Sequence, residues 1–342
     1  MKPHVLVARS DNNGDVLLAG PAIRAVAAGA QRVTLLCGPR GEDAARLLPG
    51  IDEVIVRRLP WIDPQPQPVS KDQILELVQV LGGFRIDQAI ILSSFHQSPL
   101  PLALLLRMAG VPRVGAISED YPGSLLDIRH HVSDGIHEVE RSLSLVARCG
   151  FFLPASDDRR LRVLDLPIGN GGGSDPYLVV HPGASAPART WPPDRHAALV
   201  RALVDRGRRV VVTGGQGEPA LTRRVAGAHR LVVDLGGRLS FVQLAAVIRD
   251  ADAIVVGNTG PAHLAAAVGT PVVSLFAPVV PAAKWRPWMV PHRLLGDQEE
   301  SCAGSRAREC PVPGHPCLSR VTVAEVIDAI DSLAPQRERV VA

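Results

Sequence analysis

Short apolar runs alternate with longer segments of helical period along most of the chain. That alternation predicts parallel β-sheet covered on both faces by helices. In the first half, strands are expected at 4–8, 32–37, 53–56, 88–92 and 113–116, with helices over 16–28, 71–81 and 137–148. In the second half, strands are expected at 177–181, 209–213, 230–233, 253–256 and 271–276. Helices are expected there near 194–206, 218–227, 240–250 and 261–268, with a last one over 321–333. Between the halves, Gly169-Asn-Gly-Gly-Gly-Ser-Asp-Pro176 reads as a flexible connector. The chain thus divides into a βα domain over 1–155, a linker over 156–176 and a second βα domain over 177–335, with 336–342 a frayed tail. Two such domains put a cleft between their strand ends, and the site is expected there.

The stretch from Ala253 to Phe276 organises the second half. An apolar strand runs into the small turn Gly257-Asn-Thr-Gly260, then into a short helix starting near Pro261, then into a second strand. Pro261 suits a helix start because its missing N–H is not needed there. With Thr259 as a plausible cap, free backbone N–H groups at the helix N-terminus make an anion site. A tight βαβ connection without a ligand would carry the same pattern. The loop Arg9-Ser-Asp-Asn-Asn-Gly-Asp15 follows the first strand, where open α/β sheets keep ligand crevices. It lacks the G-x-G-x-x-G glycines of a dinucleotide fingerprint, which argues against a nicotinamide dehydrogenase.

Composition narrows the function classes. Hydrophobic residues make up 46% and charged residues 21% of the 342 positions, as in globular proteins. The net charge of +3 is spread along the chain, so no nucleic-acid partner is expected. Five cysteines, an odd number, argue against a complete disulfide framework. Without a secretory signal or a spanning apolar run, a cytoplasmic protein is expected, with room for peripheral contact with the inner membrane face.

Several motifs stand in a telling order. Gly14-Asp15-Val16 follows the first strand, and His181-Pro-Gly-Ala-Ser185 precedes Ala188-Arg-Thr-Trp-Pro192. Val212-Thr-Gly-Gly215 precedes Glu218, Gly257-Asn-Thr-Gly-Pro-Ala-His263 follows, and Cys310-Pro-Val-Pro-Gly-His-Pro-Cys317 comes near the end. In that order and spacing the chain resembles glycosyltransferase family 9, the heptosyltransferases that move heptose from ADP-heptose onto a lipopolysaccharide core. The likeness implies an α/β GT-B fold, two Rossmann-like domains facing a central cleft, with the acceptor bound by the first and the nucleotide sugar by the second. It also implies inversion at the anomeric centre, no catalytic metal and no cofactor beyond the donor, ADP-heptose, as substrate. The acceptor would be a glycolipid, another glycan or a small molecule, read by loops such as 57–70 and 117–136.

The resemblance assigns residues. Asp15 matches the general base that takes the proton from the acceptor hydroxyl, beside Asn13 and Gly14 on the acceptor-side loop. From the pattern alone Asp15 reads sooner as a helix cap, and the resemblance reverses that preference. Arg189 stands where the family usually has Lys, and either cation neutralises a diphosphate leaving group. Thr259, Gly260 and Pro261 would hold the same diphosphate, and His263 would face the donor. Glu218 is placed for a ribose hydroxyl, or is a first-turn acid favoured by the helix dipole. The chain departs from the family at Asn258, where many members have Asp thought to contact the donor sugar. That leaves the donor less fixed than the reaction. Trp191, Trp285 and Trp288 lie near the site loops, as stacking platforms or as packing. Cys302, Cys310, His315 and Cys317 lack C-x-x-C spacing, so a zinc site is disfavoured; Cys37 and Cys149 read as buried core thiols. The competing functions are a sugar-nucleotide epimerase of the same fold and a nucleotide-sugar-binding protein without turnover.

Overall fold

The computed structural model describes residues 2–63, 65–167 and 175–334. Most of the Gly-rich connector and the 336–342 tail lie outside the described residues. The chain divides into two compact units, Met1–Leu164 and Asp165–Ala342.

In chain order the first unit contains β1 (His4–Ala8), α1 (Asn13–Leu18), α2 (Gly20–Gly29), β2 (Arg32–Cys37), α3 (Glu42–Ala45), β3 (Glu53–Val56) and α4 (Lys71–Gly83). It continues with β4 (Gln88–Ile91), α5 (Leu100–Met108), β5 (Arg113–Ile117), β6 (Ile128–His130) and α6 (Glu138–Arg148). Its strands form one parallel six-stranded sheet in the order β3-β2-β1-β4-β5-β6. The sheet is buried on both faces, which is why its central strands are nearly continuous runs of Val, Leu, Ile and Ala.

The second unit repeats the plan with β7 (Tyr177–His181), α7 (Pro193–Asp205), β8 (Arg209–Val212), α8 (Pro219–Ala226), β9 (Val232–Asp234), α9 (Phe241–Arg249) and β10 (Ala253–Gly257). Then come α10 (Gly260–Val268), β11 (Val272–Leu275), α11 (Ala282–Trp285), β12 (His292–Leu295), α12 (Pro316–Ser319) and α13 (Val323–Leu333). The order is β12-β11-β10-β7-β8-β9, again parallel throughout. In each unit the first strand has its chain successor on one side and a later strand on the other. The strand order therefore reverses between β1 and β4, and between β7 and β10. Crevices at the carboxyl ends of such pairs are where open α/β sheets bind ligands.

Several elements differ from the sequence reading. The helix expected over 16–28 is two helices meeting at Ala19, and the first begins at Asn13. Pro21, in the first turn of α2, has no N–H to continue the ladder. A helix over Leu100–Met108 was not expected, because its run is apolar all round and carries little period. Strands β6 and β12 were also missed: both are short, partly exposed edge strands without a clean alternation. Among the described residues no helix is long and apolar enough to cross a membrane.

Candidate functional site

The second unit's crevice is built from two loops. After β7 the chain turns through Pro182 and Gly183 and winds one turn of 3-10 helix over Pro187–Arg189. After β10 it turns through Asn258 and Thr259 into α10. The loops meet at Gly257: a Cβ there would lie 2.7 Å from the Arg189 carbonyl oxygen, so only glycine admits the contact. The half-buried Arg189 is thereby carried on backbone seated against the end of β10.

Residues from the Cys-rich segment brace this loop from behind. Ala188 N–H donates to the Arg308 carbonyl at 2.9 Å, Arg308 Nη2 donates to the Ser185 carbonyl at 2.9 Å, and His315 Nε2 lies 3.1 Å from the Ala188 carbonyl. Trp191 is buried, donates Nε1–H to Val321 O at 3.2 Å and meets His196 edge to face, so it packs rather than stacks a ligand. Cys302 and Cys317 are buried in the core of this unit with Cys310 packed against it. Among the described residues no group of three or more His, Cys, Asp or Glu is arranged to hold a metal.

Thr259 is the N-cap residue of α10, but its side chain makes no capping bond, contrary to expectation. Its Oγ1 is buried with no hydrogen-bond partner among the described residues, which is uncommon for a buried hydroxyl. Gly260 is the first helical residue and Pro261 the second, one place later than expected. His263 is buried in the first turn. Asn258 is committed elsewhere: its Oδ1 accepts from Ala277 N–H at 3.3 Å and its Nδ2 donates to Ala277 O at 3.4 Å.

Glu218 is the N-cap residue of α8 rather than a first-turn acid, and its Oε2 accepts the Gly215 N–H at 2.7 Å. Its carboxylate lies close over Gly183, where a Cβ would fit only if the Glu218 side chain moved. Beside it, His181 Nδ1 is 2.9 Å from Thr213 Oγ1. Burial pulls His181 below the usual histidine range, against the opposing pull of Glu218, so the ring is neutral at pH 7.

The first unit's crevice lies at the ends of β1 and β4. Asp15 is in the first turn of α1, so it is neither a loop residue nor the cap, which is Asn12. Gly14 is buried, and Asn13 turns its Oδ1 to the Ala44 N–H at 3.1 Å, joining α1 to α3. A residue not singled out from sequence, Arg9, lies under Asp15: its Nη2 is 3.2 Å from Asp15 Oδ1 and its Nε 3.1 Å from Asp11 Oδ2. Burial raises the Asp11 pKa, with Arg9 pulling it back and Asp15 adding to the rise. A buried Arg beside polar loop residues leaves no periodic signal, which is why sequence reading passed over it. Next to this cluster is a small open pocket whose lining includes Asp11, Asn12, Arg40, Arg58 and Asp63.

Comparison with known proteins bears on the family and the fold. A profile of glycosyltransferase family 9 (heptosyltransferase) matches residues 74–315. Lipopolysaccharide heptosyltransferase 3 of Escherichia coli is 31% identical over 217 residues, covering 59% of this chain and 61% of the relative. The chain thus matches about three fifths of that relative's length. The structure of E. coli ADP-heptose lps heptosyltransferase II has the same fold, with a TM-score of 0.72 at 20% identity over 98% of both chains. That of E. coli heptosyltransferase WaaC with ADP-2-deoxy-2-fluoro heptose also scores 0.72 at 20% identity, over 96% of this chain and 99% of the other.

Proposed function

The chain belongs to glycosyltransferase family 9, and from that premise we propose that it transfers heptose, or a related sugar, from a nucleotide diphosphate donor to a hydroxyl of a glycolipid or other glycan. The observation that carries the reading is the meeting, at Gly257, of the loop bearing Arg189 with the Thr259–Gly260 turn. A loop that carries an arginine and a helix N-terminus meeting at one strand end suit a diphosphate whose charge grows as it leaves.

In this reading Asp15 accepts the proton of the acceptor hydroxyl while that oxygen attacks the anomeric carbon. The bond from that carbon to the diphosphate oxygen breaks on the opposite face, its electron pair leaves with the nucleotide, and the configuration inverts. Arg189 and the Gly260 N–H take the role that a divalent cation plays in metal-dependent transferases. Glu218 offers carboxylate oxygens to ribose hydroxyls, and adenine is favoured as the base because a protein of the same fold is named as holding an ADP sugar. The pocket lined by Asp11, Asn12, Arg40, Arg58 and Asp63 offers both donors and acceptors to polar groups of the acceptor. With a glycolipid acceptor the enzyme works in contact with the cytoplasmic membrane face.

Calorimetric titration with ADP, UDP and GDP, with and without EDTA, tests the donor side. ADP is expected to bind best, with no effect of EDTA, and Arg189→Ala to weaken it at least tenfold. Preference for UDP or GDP would overturn the ADP assignment, and EDTA sensitivity would overturn the metal-independent one.

A further inference from the structure

Arg9 is 2% exposed, yet its guanidinium faces three carboxylates from three separate elements. Nη2 reaches Asp15 Oδ1 on α1 at 3.2 Å, Nε reaches Asp11 Oδ2 in the β1 loop at 3.1 Å, and Nη1 reaches Glu138 Oε2 on α6 at 3.4 Å. Two further bonds fix its plane: Nη2 donates to Ser94 Oγ at 2.8 Å and Nη1 to Leu92 O at 3.2 Å, both in the loop after β4. Ser94 Oγ in turn donates to Asp11 Oδ2 at 3.3 Å, and Gln97 Nε2 bonds Asp11 Oδ1.

As a stabilising device this is a poor choice. One buried cation against three carboxylates leaves excess negative charge in a dry place, even with Arg141 3.9 Å from Glu138. Buried ion pairs are weak sources of stability, and apolar packing would hold the same elements at lower cost. What such a network does supply is fixed geometry. The three carboxylates also differ in access: Glu138 is 1% exposed, Asp11 10% and Asp15 19%. The Asp15 carboxylate is held at Oδ1, and no hydrogen bond ties Oδ2 among the described residues.

We propose that Arg9 is the positioning residue for Asp15, clamping Oδ1 against the β1–β4 crevice so that Oδ2 is aimed at the acceptor hydroxyl. The inference rests on the reading of Asp15 as the base. Ser94 and Leu92 set the guanidinium plane, and Glu138 anchors its far end to α6.

The test is Arg9→Lys in the wild-type and Asp15→Asn backgrounds. Lysine keeps the charge, but one ammonium cannot span the positions of Nε, Nη1 and Nη2, so Asp15 is no longer held in one orientation. In the wild-type background kcat is expected to fall about 10- to 100-fold, the range for a misplaced reacting group, with donor KM and ADP affinity unchanged within about twofold. In the Asp15→Asn background the same change is expected to cost nothing further, the non-additivity of two residues that act as one. Where Arg9→Lys does not fold, Ser94→Ala, which removes only one of the bonds fixing the guanidinium, is expected to lower kcat severalfold with the same loss of effect in Asp15→Asn. Wild-type kcat in Arg9→Lys, or an equal drop in both backgrounds, overturns the proposal and makes Arg9 a structural residue. Full activity of Asp15→Asn alone overturns the base assignment itself, a result distinct from either.

Discussion

Asn258 and Ala277 exchange both of their polar groups, an amide against a backbone N–H and C=O. Only an amide can donate and accept in that pairing; a carboxylate would leave the Ala277 carbonyl facing a negative oxygen. Asn258→Asp, which restores the residue many family members carry, is therefore expected to destabilise the second unit by about 1–3 kcal/mol, read as a lower thermal midpoint above pH 6. An unchanged midpoint would show that the clasp contributes little. At this scale the sequence singled out some residues and passed over the partners of others. Arg189, Thr259 and Glu218 stood out because their motifs are contiguous and tied to turns. Arg9 is anchored by Ser94 and Glu138, 85 and 129 positions away, and Asn258 by Ala277, 19 away, and nothing in local spacing announces such partners.

The element that carries most of the proposed chemistry is the junction of β10, the following turn and α10. Gly257 is held to glycine by the Arg189 carbonyl, so Gly257→Ala must push the Arg189 loop off the strand end. That change is expected to cost about 1–3 kcal/mol of stability and to raise the ADP dissociation constant at least as much as Arg189→Ala does. Equal ADP affinity in wild type and Gly257→Ala, by calorimetry, would mean that the close approach does not organise the binding loop. Strongly patterned elements were legible: β1, β2, β3 and β7 fall where their apolar runs put them. α5 was not, because its exposed face also carries apolar residues, Leu104 and Met108, so it lacks the amphipathic stripe by which helices are recognised. The join at Ala19 was missed for a different reason: one apolar face continues across α1 and α2, and only the backbone geometry near Pro21 divides them.

Across the whole molecule, the two units carry different titratable burdens. In the second, burial holds His196 down to about 3 and His181 down to about 4. Both rings are protonated more readily in the unfolded chain, whose histidines titrate near 6.5. Their contribution is therefore complete above about pH 6.5 and falls as pH drops toward the folded-state values, by up to about 1.4 kcal/mol per pH unit per ring. The second unit is expected to lose stability steeply between pH 6.5 and 4, and His196→Phe, which keeps an aromatic edge for Trp191, to flatten that slope by about half. An unchanged slope in denaturant titrations at a series of pH values would contradict it. The two-unit plan was legible at this scale because βα alternation repeats on either side of a Gly-rich stretch. Which strand pair opens each crevice was not, since strand order is set by long-range pairing.

Transfer itself, followed as ADP release and mass gain of a heptose-accepting glycolipid with ADP-heptose and EDTA present, bears most directly on the proposed activity. Wild-type protein is expected to add one heptose per ADP released, only when acceptor is present, and Asp15→Asn to lower kcat by about 10²–10⁴. ADP-heptose altered without acceptor would point to an epimerase instead, and full transfer by Asp15→Asn would contradict the proposed mechanism at its base.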